Sequence, residues 1–177
     1  MRKYIRFAQV LSHIILFGYI CGAIFVWFHG SMGQNLSFIA NYRFSGDFLG
    51  VLAELSFERR MCGIFLDFPG LVILTFGWWR FQQIVGCFLR GEAFSFRVAS
   101  YFVSLGRTAL IWTVWGFIER ALFSVFMSWH KGLGNRVLEI SVSSRDIPGI
   151  IIAVVLFILA HGIKHAAEVE KERKLTI

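Results

Sequence analysis

The residues with the clearest potential for metal chemistry lie near the C-terminus, in the stretch HGIKHAAEVEKERKLTI that begins at His161. On a helix, His161, His165 and Glu168 are separated by three or four residues and therefore share one face. Imidazole and carboxylate groups are suitable zinc ligands. Two histidines one turn apart supply only half a site, however, and Lys164 and Lys171 alternate with the acidic residues, as on a solvated helix. We therefore favour a solvated helix end over a metal site.

The five histidines of the chain also suggest a haem hypothesis. His13 could pair with His161, and His29 with His130, as axial ligands of two b-type haems in a helical bundle. By its place in the apolar segments, however, His13 lies deeper than His161, while His29 and His130 lie at segment edges. Haem binding is the weaker hypothesis, and we predict no cofactor.

Charged residues inside apolar segments are costly in a membrane and are functional candidates by default. Glu119 and Arg120 lie in such a segment, and we expect Glu119 to avoid lipid while Arg120 snorkels outward. A structural polar clamp is the favoured role, and a proton or ion pathway is the alternative. Asp67, two residues before Pro69, is a third polar residue of this kind, and we expect it to mark the start of a helix rather than a functional site. No residue pattern indicates catalysis.

Composition identifies the class of protein that must position these residues. The 177 residues are 56% hydrophobic and include 20 Phe, and their mean hydropathy is +0.65. A soluble domain of this size could not bury so much apolar surface, whereas a bilayer can accommodate it. The net charge of +7 comes without a long Lys/Arg run, so it indicates contacts with anionic lipid rather than direct nucleic acid binding.

Four apolar segments are long enough to span a bilayer, which requires about 20 residues. They are residues 7–28, 62–83, 105–128 and 147–164, and a helical tail follows at 165–177. We predict an all-α membrane protein with one domain over 1–177, a bundle of four transmembrane helices. The first segment resembles a signal peptide, but its apolar core is too long, so we expect it to be retained.

Basic residues predict the orientation, because cytoplasmic flanks are enriched in Lys and Arg. Eleven of them fall on the side of the termini and six on the other side. The larger set is Arg2, Lys3, Arg6, Arg80, Arg90, Arg97, Arg107, Lys164, Lys171, Arg173 and Lys174. Both termini should therefore face the cytoplasm.

The connecting segments also carry patterns. On the outer side, NLSFIANYRF and RVLEISVSSRD alternate apolar and polar residues, which predicts two short strands that pair, with irregular loops as the alternative. On the inner side, Gly91 precedes the N-cap candidate Ser95, and Phe94 can form half of a hydrophobic staple. The amphipathic segment that follows predicts an interfacial helix running into the third span. Its flanking basic residues, expected near lipid phosphates, are Arg90, Arg97 and Arg107.

Two stretches resemble the bacterial family called domain of unknown function 2975, small four-helix inner-membrane proteins. In the first stretch, the matching residues are Gly91, Glu92, Phe94, Ser95 and Gly106. In the tail, they are Glu172, Leu175, Thr176 and Ile177, and Ala166 stands where the family usually has Gly. The resemblance implies a four-helix membrane fold and a link to a helix-turn-helix regulator.

From these observations we predict a non-enzymatic membrane protein that acts through protein contacts. It would be the partner of a sensor or regulator, an accessory subunit of a membrane assembly, or a homo-oligomer. One alternative is a small transporter or channel-like oligomer that uses Glu119 and Arg120. Another is a haem- or metal-binding membrane protein that uses the histidines.

Overall fold

Four long helices make up the structure, a computed structural model that describes residues 2–28, 56–128, 138 and 146–175. They are α1 (Arg2–Phe28), α2 (Phe57–Arg90), α3 (Phe96–Ser128) and α4 (Ile147–Leu175). Each is long and apolar enough to cross a membrane. The predicted all-helical class with four such helices is therefore confirmed for the described part of the chain, which contains no strand.

The helices extend beyond the predicted spans, because polar residues at their ends continue the same hydrogen-bonded ladder. α2 begins at Phe57 and contains Pro69 in its interior. α4 continues from its apolar run through the charged tail to Leu175. The predicted strand pair falls on 35–44 and 136–146, which lie outside the described residues apart from Leu138 and Asp146.

A five-residue turn joins α2 to α3. Gly91 has φ +82°, a left-handed conformation that favours glycine. Its N–H donates to the Phe88 carbonyl at 3.2 Å, and the Glu92 N–H donates to the Cys87 carbonyl at 3.0 Å. These two bonds form a Schellman motif, which ends α2.

Ser95 begins the next helix, as the sequence predicts. Its hydroxyl accepts a hydrogen bond from the Val98 N–H at 3.3 Å, which is N-cap geometry. The predicted helical segment after Ser95 is present as the first turns of α3 and not as a helix of its own. It buries Val98 and Ala99, while Phe96 is exposed.

By their internal contacts, the residues form two compact units. The first unit contains Met1–His13, Val72–Gly116 and Val142–Ile177, and the second contains Ile14–Leu71 and Phe117–Ser141. Helices α1, α2 and α3 each contribute to both units, whereas α4 belongs to the first unit alone.

Within the first unit, α3 and α4 pack closely where glycines face larger side chains. A Cβ built on Gly106 would lie 2.9 Å from the ring of Phe157, and one built on Gly149 would overlap the Thr113 hydroxyl. Because these two contacts occur in opposite sequence order, the helices are antiparallel. The buried residues of α4 are alanines spaced seven residues apart, which we call the alanine seam: Ala153, Ala160 and Ala167.

Candidate functional site

The second unit contains a buried hydrogen bond between α1 and α2. The indole Nε1 of Trp27 donates to Oδ2 of Asp67 at 2.8 Å. Both residues are 3% exposed. A buried indole N–H and a buried carboxylate each need a polar partner, because desolvation without one is costly. The pair therefore ties the end of α1 to the middle of α2.

Neighbouring residues leave room for the indole. Gly63 lies one turn before Asp67 on α2, and a Cβ at this position would overlap the Trp27 ring. Phe123 of α3 stacks on the same indole, with ring centroids 5.9 Å apart and planes inclined by 24°. Trp27 is therefore in contact with both α2 and α3, and we call Trp27, Gly63, Asp67 and Phe123 the indole clamp.

The prediction that Asp67 marks a helix start is wrong. The helix begins at Phe57, so Asp67 lies within it. Its position is explained by the tryptophan on the preceding helix and not by capping. The sequence indicated only that an indole and a carboxylate in apolar segments each require a partner, and not that these two residues are partners of each other.

Glu119 and Arg120 belong to α3 in the same unit. Glu119 is 8% exposed, and it lies one turn before Phe123, on the same side of the helix. Arg120 is half-buried, with its guanidinium 5.0 Å from the centroid of the Phe117 ring. The two side chains thus have different surroundings, as expected for neighbours about 100° apart on a helix.

In the first unit, α1 and α2 meet through polar side chains. Gln82 Nε2 donates to the Ser12 hydroxyl at 2.7 Å. His13 contacts the edge of Trp78, with ring centroids 4.8 Å apart. His13 Nδ1 is 2.7 Å from the Gln9 carbonyl. Because a carbonyl only accepts, Nδ1 carries the proton, and Nε2 of a neutral ring is left as an acceptor.

Arg80, next to the Trp78–Trp79 pair, was not predicted as a site. Its guanidinium carbon is 5.0 Å from the ring centroids of both Phe76 and Trp79, and 5.8 Å from that of Tyr101 on α3. Its Nη1 donates to Gln83 Oε1 at 2.9 Å. We call Phe76, Trp79 and Tyr101 the aromatic cage of Arg80. The signal in the sequence is a single arginine directly after two tryptophans at the end of an apolar segment.

The histidine tail is exposed at the end of α4. His161, His165 and Glu168 all have exposed side chains. Glu168 lies 3.8 Å from His165 Nδ1 and 4.0 Å from Lys164 Nζ. In the described ranges no three His, Cys, Asp or Glu side chains are grouped so as to hold a metal ion. His29 and His130 of the haem hypothesis lie outside those ranges.

The predicted interfacial residues occupy the α2–α3 turn and the start of α3. Arg90 Nε lies 3.8 Å from a Glu92 carboxylate oxygen, and Arg90 Nη2 donates to Cys87 Sγ at 3.2 Å. The side chains of Phe94, Arg97 and Arg107 are exposed. These three side chains are therefore not covered by other described parts of the chain.

No family model matches the chain, and no curated protein or solved structure matches it either. The resemblance to the domain of unknown function 2975 family stays a prediction, and the residues alone must support a function.

Proposed function

We propose that this chain is a multi-pass protein of the bacterial inner membrane that acts through contacts with another protein and not by catalysis. Four helices with spanning length and apolarity support the membrane part of the proposal. So does their surface, because exposed large apolar side chains occur along all four helices. Soluble monomers rarely expose such extensive apolar surface.

Helix α4 gives the plainest case for lipid contact. Only its alanine seam is buried, and most of the apolar run faces outward. The exposed side chains are Ile150, Ile151, Ile152, Val154, Val155, Ile158 and Leu159. A helix that is apolar around most of its circumference is suited to hydrocarbon and not to water.

The proposed orientation has both termini in the cytoplasm. Within the first unit, the Ser12–Gln82 and His13–Trp78 contacts occur in opposite sequence order, so α1 and α2 are antiparallel there. Since α3 and α4 are antiparallel too, the start of α1, the α2–α3 turn and the end of α4 belong at the same end. Basic residues favour the cytoplasm for this end. The members of this set whose side chains the structure describes are Lys3, Arg6, Arg80, Arg90, Arg97, Arg107, Lys164, Lys171 and Arg173.

The observation that carries the protein-contact proposal is the end of α4. Beyond the apolar run, this helix continues for several turns with exposed charges of both signs, among them Lys164, Glu168, Lys171 and Arg173. A preformed helix with mixed charges offers a soluble protein a rigid, charge-specific surface. The helix-turn-helix regulator implied by the family resemblance would approach from this side.

Site-specific photo-crosslinking in cells tests the proposal. A photoreactive phenylalanine at Lys171 should give a discrete protein adduct, whereas the same probe at Ile151, an exposed apolar position of α4, should give none. Glu168 is exposed and lies one turn before Lys171 on the same face of the helix. Its charge reversal to Lys should abolish the adduct at position 171 without changing the amount of protein in the membrane. An unchanged adduct after charge reversal, or no adduct from any exposed tail position, would contradict the proposal.

A further inference from the structure

Arg80 is a cation enclosed by rings. It lies on α2, and the aromatic cage holds its guanidinium from two helices, with ring centroids 5.0 to 5.8 Å away. Cation–π contacts of this kind stabilise a guanidinium and fix its orientation. They do not neutralise its charge.

The charge of Arg80 has no counter-ion in the described part of the chain. A guanidinium has five N–H donors. Gln83 accepts one hydrogen bond from Nη1, and the buried Nε has no acceptor. By contrast, Arg90 on the same helix lies 3.8 Å from a carboxylate oxygen of Glu92. A half-buried cation without an anion is unfavourable, so this arrangement is suited to an anion from outside the chain.

The position of Arg80 on the helix indicates which anion. It lies near one end of the predicted span 62–83, directly after Trp78 and Trp79. Tryptophans at the end of a span favour the level of the lipid headgroups. At that level the abundant anions are phosphodiester groups, and the planar fork of arginine matches two phosphate oxygens.

We propose that Arg80 and its aromatic cage bind the phosphodiester of an anionic phospholipid. The guanidinium donates to the phosphate oxygens, and the rings contact the glycerol and the first acyl carbons. This proposal rests on the proposed membrane insertion, and it adds a specific lipid site to it.

The test uses the full-length protein purified in mild detergent and follows the thermal unfolding midpoint while lipid is added. Phosphatidylglycerol should raise the midpoint of the wild type, whereas phosphatidylcholine should raise it much less. Inorganic phosphate alone should have little effect; an equal shift with phosphate would contradict a lipid site. In Arg80→Gln the apparent affinity for phosphatidylglycerol should fall about tenfold, as expected for losing a charge-assisted hydrogen bond.

Arg59→Gln is the matched control, because Arg59 is an exposed arginine in the first turn of the same helix. It should respond to phosphatidylglycerol like the wild type. Arg80→Lys keeps the charge but loses the fork and should bind with intermediate affinity, which also covers the case that Arg80→Gln fails to fold. Equal responses of wild type, Arg80→Gln and Arg80→Lys would overturn the proposal.

Extraction of cell membranes with alkaline carbonate separates this proposal from the one it rests on. If the wild type leaves the membrane, the proposed insertion fails and the lipid site fails with it. If Arg80→Gln stays in the membrane and keeps the crosslink from Lys171 but still binds phosphatidylglycerol with wild-type affinity, only the lipid site fails.

Discussion

At the scale of single residues, Glu119 is the most informative position to change. It is a carboxylic acid in an apolar helix and is 8% exposed. Glu119→Gln keeps the length and one acceptor oxygen, whereas Glu119→Leu removes both acceptor oxygens. If Glu119 is structural, the Gln variant should be mild, and the Leu variant should lower the free energy of unfolding by about 1–3 kcal/mol. Thermal unfolding in detergent measures both.

The same two variants test the transporter alternative. If Glu119 relays protons or binds a cation, Glu119→Gln should abolish the ion or substrate flux of reconstituted vesicles while the unfolding midpoint stays near that of the wild type. Loss of flux together with an unchanged midpoint would contradict the clamp role. A stable, fully active Gln variant would contradict the relay role.

The burial of Glu119 was predictable from the sequence, but the partner of Asp67 was not. The cost of a charge in an apolar segment predicted that Glu119 would be sheltered, and its side chain is buried. The same reasoning could not join Asp67 to Trp27, because forty residues separate them along the chain. Which helix faces a buried carboxylate depends on tertiary packing. The helical periodicity of one segment shows which residues share a face, but not which helix that face contacts.

At the scale of helices, packing in the indole clamp depends on Gly63. A Cβ on this residue would overlap the Trp27 ring, so Gly63→Ala should force the indole away from Asp67. Overpacking of this kind typically costs about 1–3 kcal/mol. A lowered unfolding midpoint, with a changed tryptophan fluorescence spectrum, is the expected result.

Gly162→Ala on α4 is the matched control, because nothing lies within 4 Å of a Cβ at that position. Alanine has the higher helix propensity, so this variant should be neutral or more stable by up to about 1 kcal/mol. Equal effects of the two substitutions would mean that the indole does not occupy the space beside Gly63.

The helices themselves were largely predictable, since apolar length reflects the physics of the bilayer. The ends of the helices were less predictable. α2 ends at Arg90, where the Schellman motif at Gly91 terminates it. The sequence signal for this end is a glycine after a basic last turn, which a search for apolar segments alone does not use. The start of α3 was predictable from Ser95, whose hydroxyl does cap it.

At the scale of the whole molecule, two observations predict the membrane topology: the antiparallel helix pairs and the distribution of basic residues. In the first unit, the contacts of α1 with α2 and of α3 with α4 each run in opposite sequence order. In the proposed topology all four helices cross the membrane, and an alternating path then returns the chain to the side where it began. The proposal assigns this side to the cytoplasm, because cytoplasmic flanks are enriched in lysine and arginine.

Reporter fusions test this topology. An enzyme that is active only in the cytoplasm should be active when fused after Arg90 or after Ile177, and a reporter active only in the periplasm should be active when fused after Ser45. The fusion after Arg90 ends the chain at the α2–α3 turn, so it reads the first helix pair alone, whereas the fusion after Ile177 reads all four helices. If both report the cytoplasm, each pair returns the chain to its starting side. A periplasmic signal from Ile177 together with a cytoplasmic one from Arg90 would mean that only one of α3 and α4 crosses the membrane. That result would place the charged end of α4 beyond the reach of a cytoplasmic regulator, and the protein-contact proposal would fail with it.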